Sequence, residues 1–165
     1  MRKFYPSLVV DTLLEVEFAF FSDRKINTVF IDADNTLLAP GANHSSVALK
    51  AWVMELKTQK IRVFLVSNNT SRRISNALHD LDVEGLSFAH KPLIYKIRGF
   101  MKKHAIEGEH CCFIGDQLLT DMLAAYRLKM TSILVTQISP NDYFYTRWIR
   151  LIERRILRKG KINGK

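Results

Sequence analysis

Two carboxylates one residue apart, Asp32 and Asp34, close the apolar run Val29-Phe30-Ile31. Side chains at i and i+2 of an extended chain share a face. Two negative charges held that close repel, unless a cation lies between them or one carboxyl keeps its proton. Either state serves phosphoryl transfer. Taken alone, the stretch reads equally well as a strand running into a turn formed by Asn35. The residues that close the other apolar runs separate these readings. Ser67 and Asn68 follow Ile61 to Val66, Lys91 follows Leu86 to Ala89, and Asp116 follows Cys111 to Ile114, with Asp121 one helical turn further on.

Each residue type answers a need of phosphomonoester hydrolysis. Carboxylates hold a hard divalent cation that neutralises phosphate oxygens. A carboxylate nucleophile divides the reaction through an aspartyl-phosphate, and a second carboxyl can protonate the leaving oxygen and later activate water. A hydroxyl and the free amides of a helix start bind phosphate oxygens, and a lysine balances charge on the nucleophile and phosphoryl group. Singly, Asp121 would be an ordinary helix-surface acid and Ser67 an ordinary helix cap. Their joint occurrence at successive run ends is what points to a site.

The elements that must position these residues alternate. Strands are expected at 28–32, 61–66, 86–89, 111–114 and 132–135, and helices at 46–59, 71–81, 93–103 and 118–128. In the first helix Val47, Leu49, Trp52, Val53 and Leu56 recur at helical spacing and form one buried face. Continuous apolar strands are those covered on both faces. Strand and helix in alternation imply a parallel sheet between helical layers, and right-handed crossovers bring every strand's carboxyl end to one edge. The expected fold is therefore an α/β, Rossmann-like three-layer sandwich with a mainly parallel five-stranded sheet. Before it, Ser7 is placed to cap a helix starting at Leu8, and Phe18, Phe20 and Phe21 form a lid or packing segment.

Composition bounds the class. With 165 residues the chain suits one domain, here 1–165, comprising an N-terminal segment 1–26, the α/β body and a basic tail 141–165. An apolar share of 47% and a charged share of 25% exclude a disordered chain. No apolar run reaches the length of a spanning helix, and the Leu13 to Phe21 stretch lacks a cleavage pattern, so a cytoplasmic protein is expected. Cys111 and Cys112 are adjacent and would face opposite sides of a strand, which suits buried free thiols rather than a disulfide or a zinc site.

Asp32-Ala33-Asp34-Asn35-Thr36, Ser67-Asn68-Asn69, Lys91-Pro92 and Gly115-Asp116-Gln117 with Asp121 resemble, in order, the four motifs of the haloacid-dehalogenase (HAD) superfamily. The phrases Asp34-Asn35-Thr36-Leu37 and Gly115-Asp116-Gln117-Leu118-Leu119-Thr120-Asp121 narrow the likeness to subclass IIIA phosphatases of the YqeG and phosphatidylglycerophosphate phosphatase type. The resemblance implies that Asp32 is the nucleophile and Asp34 the general acid and base. It implies that Ser67 and Asn68 bind phosphate and that Lys91 steadies the intermediate. It also implies Mg²⁺ held by Asp32, Asp116 and the Asp34 carbonyl, with Asp121 at or near the metal. Many relatives insert a cap domain, but neither the 34–67 nor the 67–91 interval has room for one, so the site should be open.

An open site suits a phosphate carried on something large, and the resemblance supplies phosphatidylglycerophosphate as the expected substrate. A soluble, protein or nucleic-acid phosphate is the alternative, as is a non-catalytic nucleic-acid or ribosome-binding module of the same fold, against which Asp32 and Asp34 both count. From Arg147 to the end the chain carries +7 of the net +9, from eight basic residues against Glu153. Phe144, Trp148, Ile152 and Ile156 recur every four residues along it. Such a stripe suits an anionic inner membrane face and equally suits docking on the body or a homo-oligomer interface.

Overall fold

The computed structural model describes residues 5–33, 36–37 and 44–136. The expected helix 141–165 and the loop at 39–43 thus lie outside the described residues, as does Asp34. Among the described residues six strands form one sheet: β1 (Leu8–Val10), β2 (Thr28–Asp32), β3 (Arg62–Val66), β4 (Glu84–Leu86), β5 (Cys111–Gly115) and β6 (Thr131–Val135). Their order is β1-β6-β5-β2-β3-β4 and every pairing is parallel. The helices are α1 (Phe18–Asp23), α2 (Val47–Thr58), α3 (Arg72–Leu81), α4 (Tyr95–Lys103) and α5 (Leu123–Arg127).

The central strands sort their side chains by parity. Val29 and Ile31 of β2, Val63 and Leu65 of β3, and Cys112 and Ile114 of β5 enter one core with Trp52 and Leu56 of α2. Phe30, Phe64, Cys111 and Phe113 enter the other, with Ile97 of α4 and Ala125 of α5. Both faces are covered, which is why the sequence shows unbroken apolar runs rather than alternation. The cysteines are free and buried on opposite faces. Burial pushes the Cys111 thiol up to about 12, so it carries no thiolate chemistry near neutrality.

Four expectations change. The helix expected from Leu8 is instead β1, a sixth strand paired with β6 in the register Leu8↔Ile133. Two successive valines favour extended backbone, and the Ser7 amide, cast as part of a cap, donates to Ser132 O at 2.7 Å. Phe21 packs edge-on against Trp52, which makes 18–23 a packing segment and not a lid. Val47 lies exposed, because Ser46 is the N-cap and the first helical residue precedes the buried face. The strand expected at 86–89 runs earlier, Glu84–Leu86, around Gly85. A Cβ there would come within 2.7 Å of Leu78 Cδ2 and 2.9 Å of Leu65 O, so glycine permits a close strand contact where it would ordinarily signal a break.

Among the described residues, 33–66 beyond the first motif contains α2 and β3, and 67–90 contains α3 and β4, with no cap domain between them. No described helix is long and apolar enough to cross a membrane.

Candidate active site

β2 is the middle of the sheet, and Asp32 is its last residue. Its neighbours in register are Val66 of β3 on one side and, through the Ile31↔Ile114 pair, the end of β5 on the other. Continuing each strand by one or two residues places Ser67 and Asp116 beside Asp32 at the carboxyl edge, where parallel sheets bind ligands. One carboxylate oxygen from each of Asp32, Asp116 and Asp121 lies within 4.8 Å of the others. Asp32, Ser67, Lys91 and Asp121 are buried and Asp116 is half-buried.

Lys91 is threaded into this cluster. Its Nζ bonds Asp32 Oδ1 and lies 2.7 Å from Asp121 Oδ1. Burial works against the ammonium, but Asp32 and Asp121 outweigh it, and the pKa is raised from the usual 10.5. Lys91 is thus a fixed cation. Burial raises the Asp121 carboxyl, with Asp116 adding to it, against the pull of Lys91. Three carboxylates and one ammonium leave the cluster two negative charges in excess. Oxygen donors with that surplus fit a hard divalent cation and would not select a soft one.

Asp121 reaches the site through a widened turn. Residues Leu118–Met122 form a π-helical turn before α5 begins, where the sequence suggested one continuous helix. Such turns recur at functional sites because they displace one side chain from the helical row. The Gln117 amide donates to Asp121 Oδ2 at 3.1 Å, holding the carboxylate back over β5. Gly115 makes room for it. A Cβ on Gly115 would lie 2.5 Å from Asp121 Oδ2 and 2.6 Å from its Cγ, so a Gly115→Ala protein must push Asp121 out of the cluster. We expect it to lose about 1–3 kcal/mol of stability and, in metal titrations followed by calorimetry, to bind divalent cations at least about tenfold more weakly.

Asn68, expected on the phosphate, is turned elsewhere. Its Oδ1 accepts from the Lys91 amide at 2.6 Å and its Nδ2 donates to Lys91 O at 2.9 Å. One carboxamide therefore satisfies both backbone groups of the lysine. The segment needs such a clamp, since Phe88 and His90 on either side of Ala89 hold left-handed backbone at φ 52° and 59°, a costly state for bulky residues. Asn68→Ala is expected to lower kcat on an aryl phosphate on the order of 10²-fold through misplacement of the ammonium, with KM little changed. A direct phosphate contact would instead show as a raised KM. The reading from sequence missed this role because an Asn after a strand has many uses and only the fold brings 68 and 91 together. Ser67 lies where expected, its Oγ accepting from the Asn69 amide at 2.9 Å.

A cavity of about 750 Å³ lined by Lys57, Arg62, His79 and Glu84, among others, opens at the amino end of β3. It is at the opposite edge of the sheet from the carboxylates, and convergent chemistry, rather than size, identifies the site.

The profile of the family described as mitochondrial PGP phosphatase matches residues 1–138. The probable phosphatase YqeG of Bacillus subtilis (strain 168) is 33% identical over 167 residues, covering 98% of this chain and 97% of that protein. Among solved structures, the 3-deoxy-D-manno-octulosonate 8-phosphate phosphatase of Yersinia pestis superposes with a TM-score of 0.54 at 14% identity, over 76% of this chain and 72% of that one. A proposed hydrolase of the HAD superfamily (subfamily III A) from Legionella pneumophila gives 0.51 at 14% identity, over 71% and 68%. The two structural likenesses establish the fold.

Proposed function

The chain belongs to the mitochondrial PGP phosphatase family of the HAD superfamily and is a phosphoric monoester hydrolase, and on that premise we propose that it is a Mg²⁺-dependent enzyme converting phosphatidylglycerophosphate to phosphatidylglycerol. The observation that carries the chemistry is the convergence of Asp32, Asp116 and Asp121 on one point, with Lys91 bonded to Asp32 and Asp121. The lipid rests on the family's description.

In this reading an Asp32 oxygen attacks phosphorus, and the bond from phosphorus to the lipid oxygen breaks. Asp34 gives its proton to the departing oxygen. The resulting aspartyl-phosphate is then cleaved by water, whose proton Asp34 takes back, and the phosphorus–oxygen bond to Asp32 breaks to release inorganic phosphate. Lys91 pairs with Asp32 before attack and offsets charge on the phosphoryl oxygens afterwards. Ser67 contributes its hydroxyl to the phosphate. Asp32, Asp116 and the Asp34 carbonyl, with Asp121, would hold Mg²⁺, which when bound shields the phosphate oxygens from the carboxylate nucleophile.

The test is release of phosphate from phosphatidylglycerophosphate beside soluble sugar, peptide and oligonucleotide phosphates. Turnover is expected to favour the lipid, to stop on chelation and to return with added Mg²⁺. A preference for any soluble phosphate would overturn the lipid assignment, and turnover unaffected by exhaustive chelation would overturn the metal.

A further inference from the structure

The two segments that deliver Lys91 and Asp121 also carry apolar side chains into solvent. Phe88, Leu93 and Tyr95 are 50%, 55% and 57% exposed, and Leu119 is 66% exposed. Scattered exposed hydrophobics need no explanation, but these four are gathered within four residues of Lys91 or Asp121, at the rim of the catalytic edge. Contacts run within and between the two segments. The Tyr95 ring lies 6.0 Å from that of His90, Lys96 Nζ sits 5.8 Å over Phe88, and Arg127 of α5 donates to Pro92 O at 2.9 Å.

Outside the site carboxylates Asp116 and Asp121, the charge carried by these two segments is basic. From Phe88 to Lys103 the chain holds Lys91, Lys96, Arg98, Lys102 and Lys103 and no acid. From Gln117 to Met130 the one acid is Asp121, which is buried against Lys91. Arg98 in the first turn of α4 and Arg127, which reaches Pro92 O, face solvent on this side, whereas Lys102 and Lys103 end α4 beside His104 at the opposite edge of the sheet. Aliphatic and aromatic tips surrounded by bases, with no exposed acid among them, match the polarity of an anionic lipid interface, where the tips enter the acyl boundary and the bases meet headgroups.

We infer that this rim is a docking surface for an anionic lipid bilayer, which seats the carboxyl edge of the sheet on the headgroup layer where a lipid phosphomonoester stands. The inference rests on the lipid reading above and assigns the contact to the α/β body, independently of residues 141–165. Docking of this kind would let a site with no cap reach a phosphate without extracting the lipid.

Co-sedimentation of the full chain with phosphatidylcholine vesicles, with and without one-third phosphatidylglycerol, tests it. The wild type should prefer the anionic vesicles, and the combined Leu93→Ser, Tyr95→Ser and Leu119→Ser variant should bind them at least about tenfold more weakly, with unchanged turnover of a soluble aryl phosphate. Lys96→Glu with Arg98→Glu, both in the first turn of α4, should weaken binding to the anionic vesicles alone. Undiminished binding by the apolar variant overturns the inference, whether the contact then proves to lie in residues 141–165 or elsewhere. If the wild type docks as expected yet leaves phosphatidylglycerophosphate uncleaved while hydrolysing the aryl phosphate, the docking surface stands and the substrate assignment fails.

Discussion

Asp32→Asn yields a folded protein whose turnover of even a small aryl phosphate falls by about 10⁴-fold or more. The fold survives because Asn has the same shape, and Lys91 keeps its contact with Asp121 at 2.7 Å. Removing one carboxylate also relieves repulsion within the cluster. The chemistry does not survive, because a carboxamide oxygen is a poor nucleophile and forms no stable acyl-phosphate. Acid quenching during turnover, followed by mass spectrometry, should find a phosphoryl group on wild-type Asp32 and none in the variant. Asp116→Asn provides the contrast. As a metal ligand alone, it should raise the Mg²⁺ requirement and recover part of its kcat at saturating metal. Residual wild-type turnover in Asp32→Asn would mean the nucleophile lies elsewhere.

The residues at this edge were legible before any coordinates because two separate signals agree. Buried parallel strands need continuous apolar runs, so their ends are easy to find, and the polar residues at those ends form a set that suits phosphoryl transfer. What escaped was whatever depends on contacts distant in sequence. Pro6-Ser7-Leu8 reads as a helix start, and only the open edge of β6 makes it a strand. The strand expected at 86–89 starts earlier because Gly85 lets Leu78 and Leu65 approach closely. Asn68 could not be linked to Lys91, 23 residues away, without the parallel pairing of β3 with β4. The π-helical turn at Leu118–Met122 leaves no mark in an apolar pattern that fits an α-helix equally well. The converging carboxylates are thus written in local sequence, while the devices that aim them are written in the fold.

Lys91→Met carries the second large effect, and it acts on stability as well as rate. The ammonium is buried between Asp32 and Asp121, and its raised pKa means the folded state holds the proton more tightly than the unfolded chain. A raised lysine pKa contributes stability that is fully present below the unfolded value near 10.5 and is lost only as pH rises through the folded value. Wild type should therefore keep this contribution throughout the neutral range. Methionine fills a similar volume but leaves two buried carboxylates facing each other without compensation, at a cost of about 3–5 kcal/mol. The carboxylates can recover part of that cost in two ways. Lower pH protonates one of them, so the variant's deficit should shrink on acidification. A divalent cation replaces the missing charge, so Mg²⁺ should raise the melting temperature of Lys91→Met by more than it raises that of wild type. Turnover should stay depressed even at saturating Mg²⁺, on the order of 10²- to 10³-fold, because a metal on the carboxylates leaves the phosphoryl oxygens without their second cation. A variant as stable as wild type without metal would show that Lys91 does not neutralise the cluster, and one restored to full rate by Mg²⁺ would show that its charge has no part in the reaction.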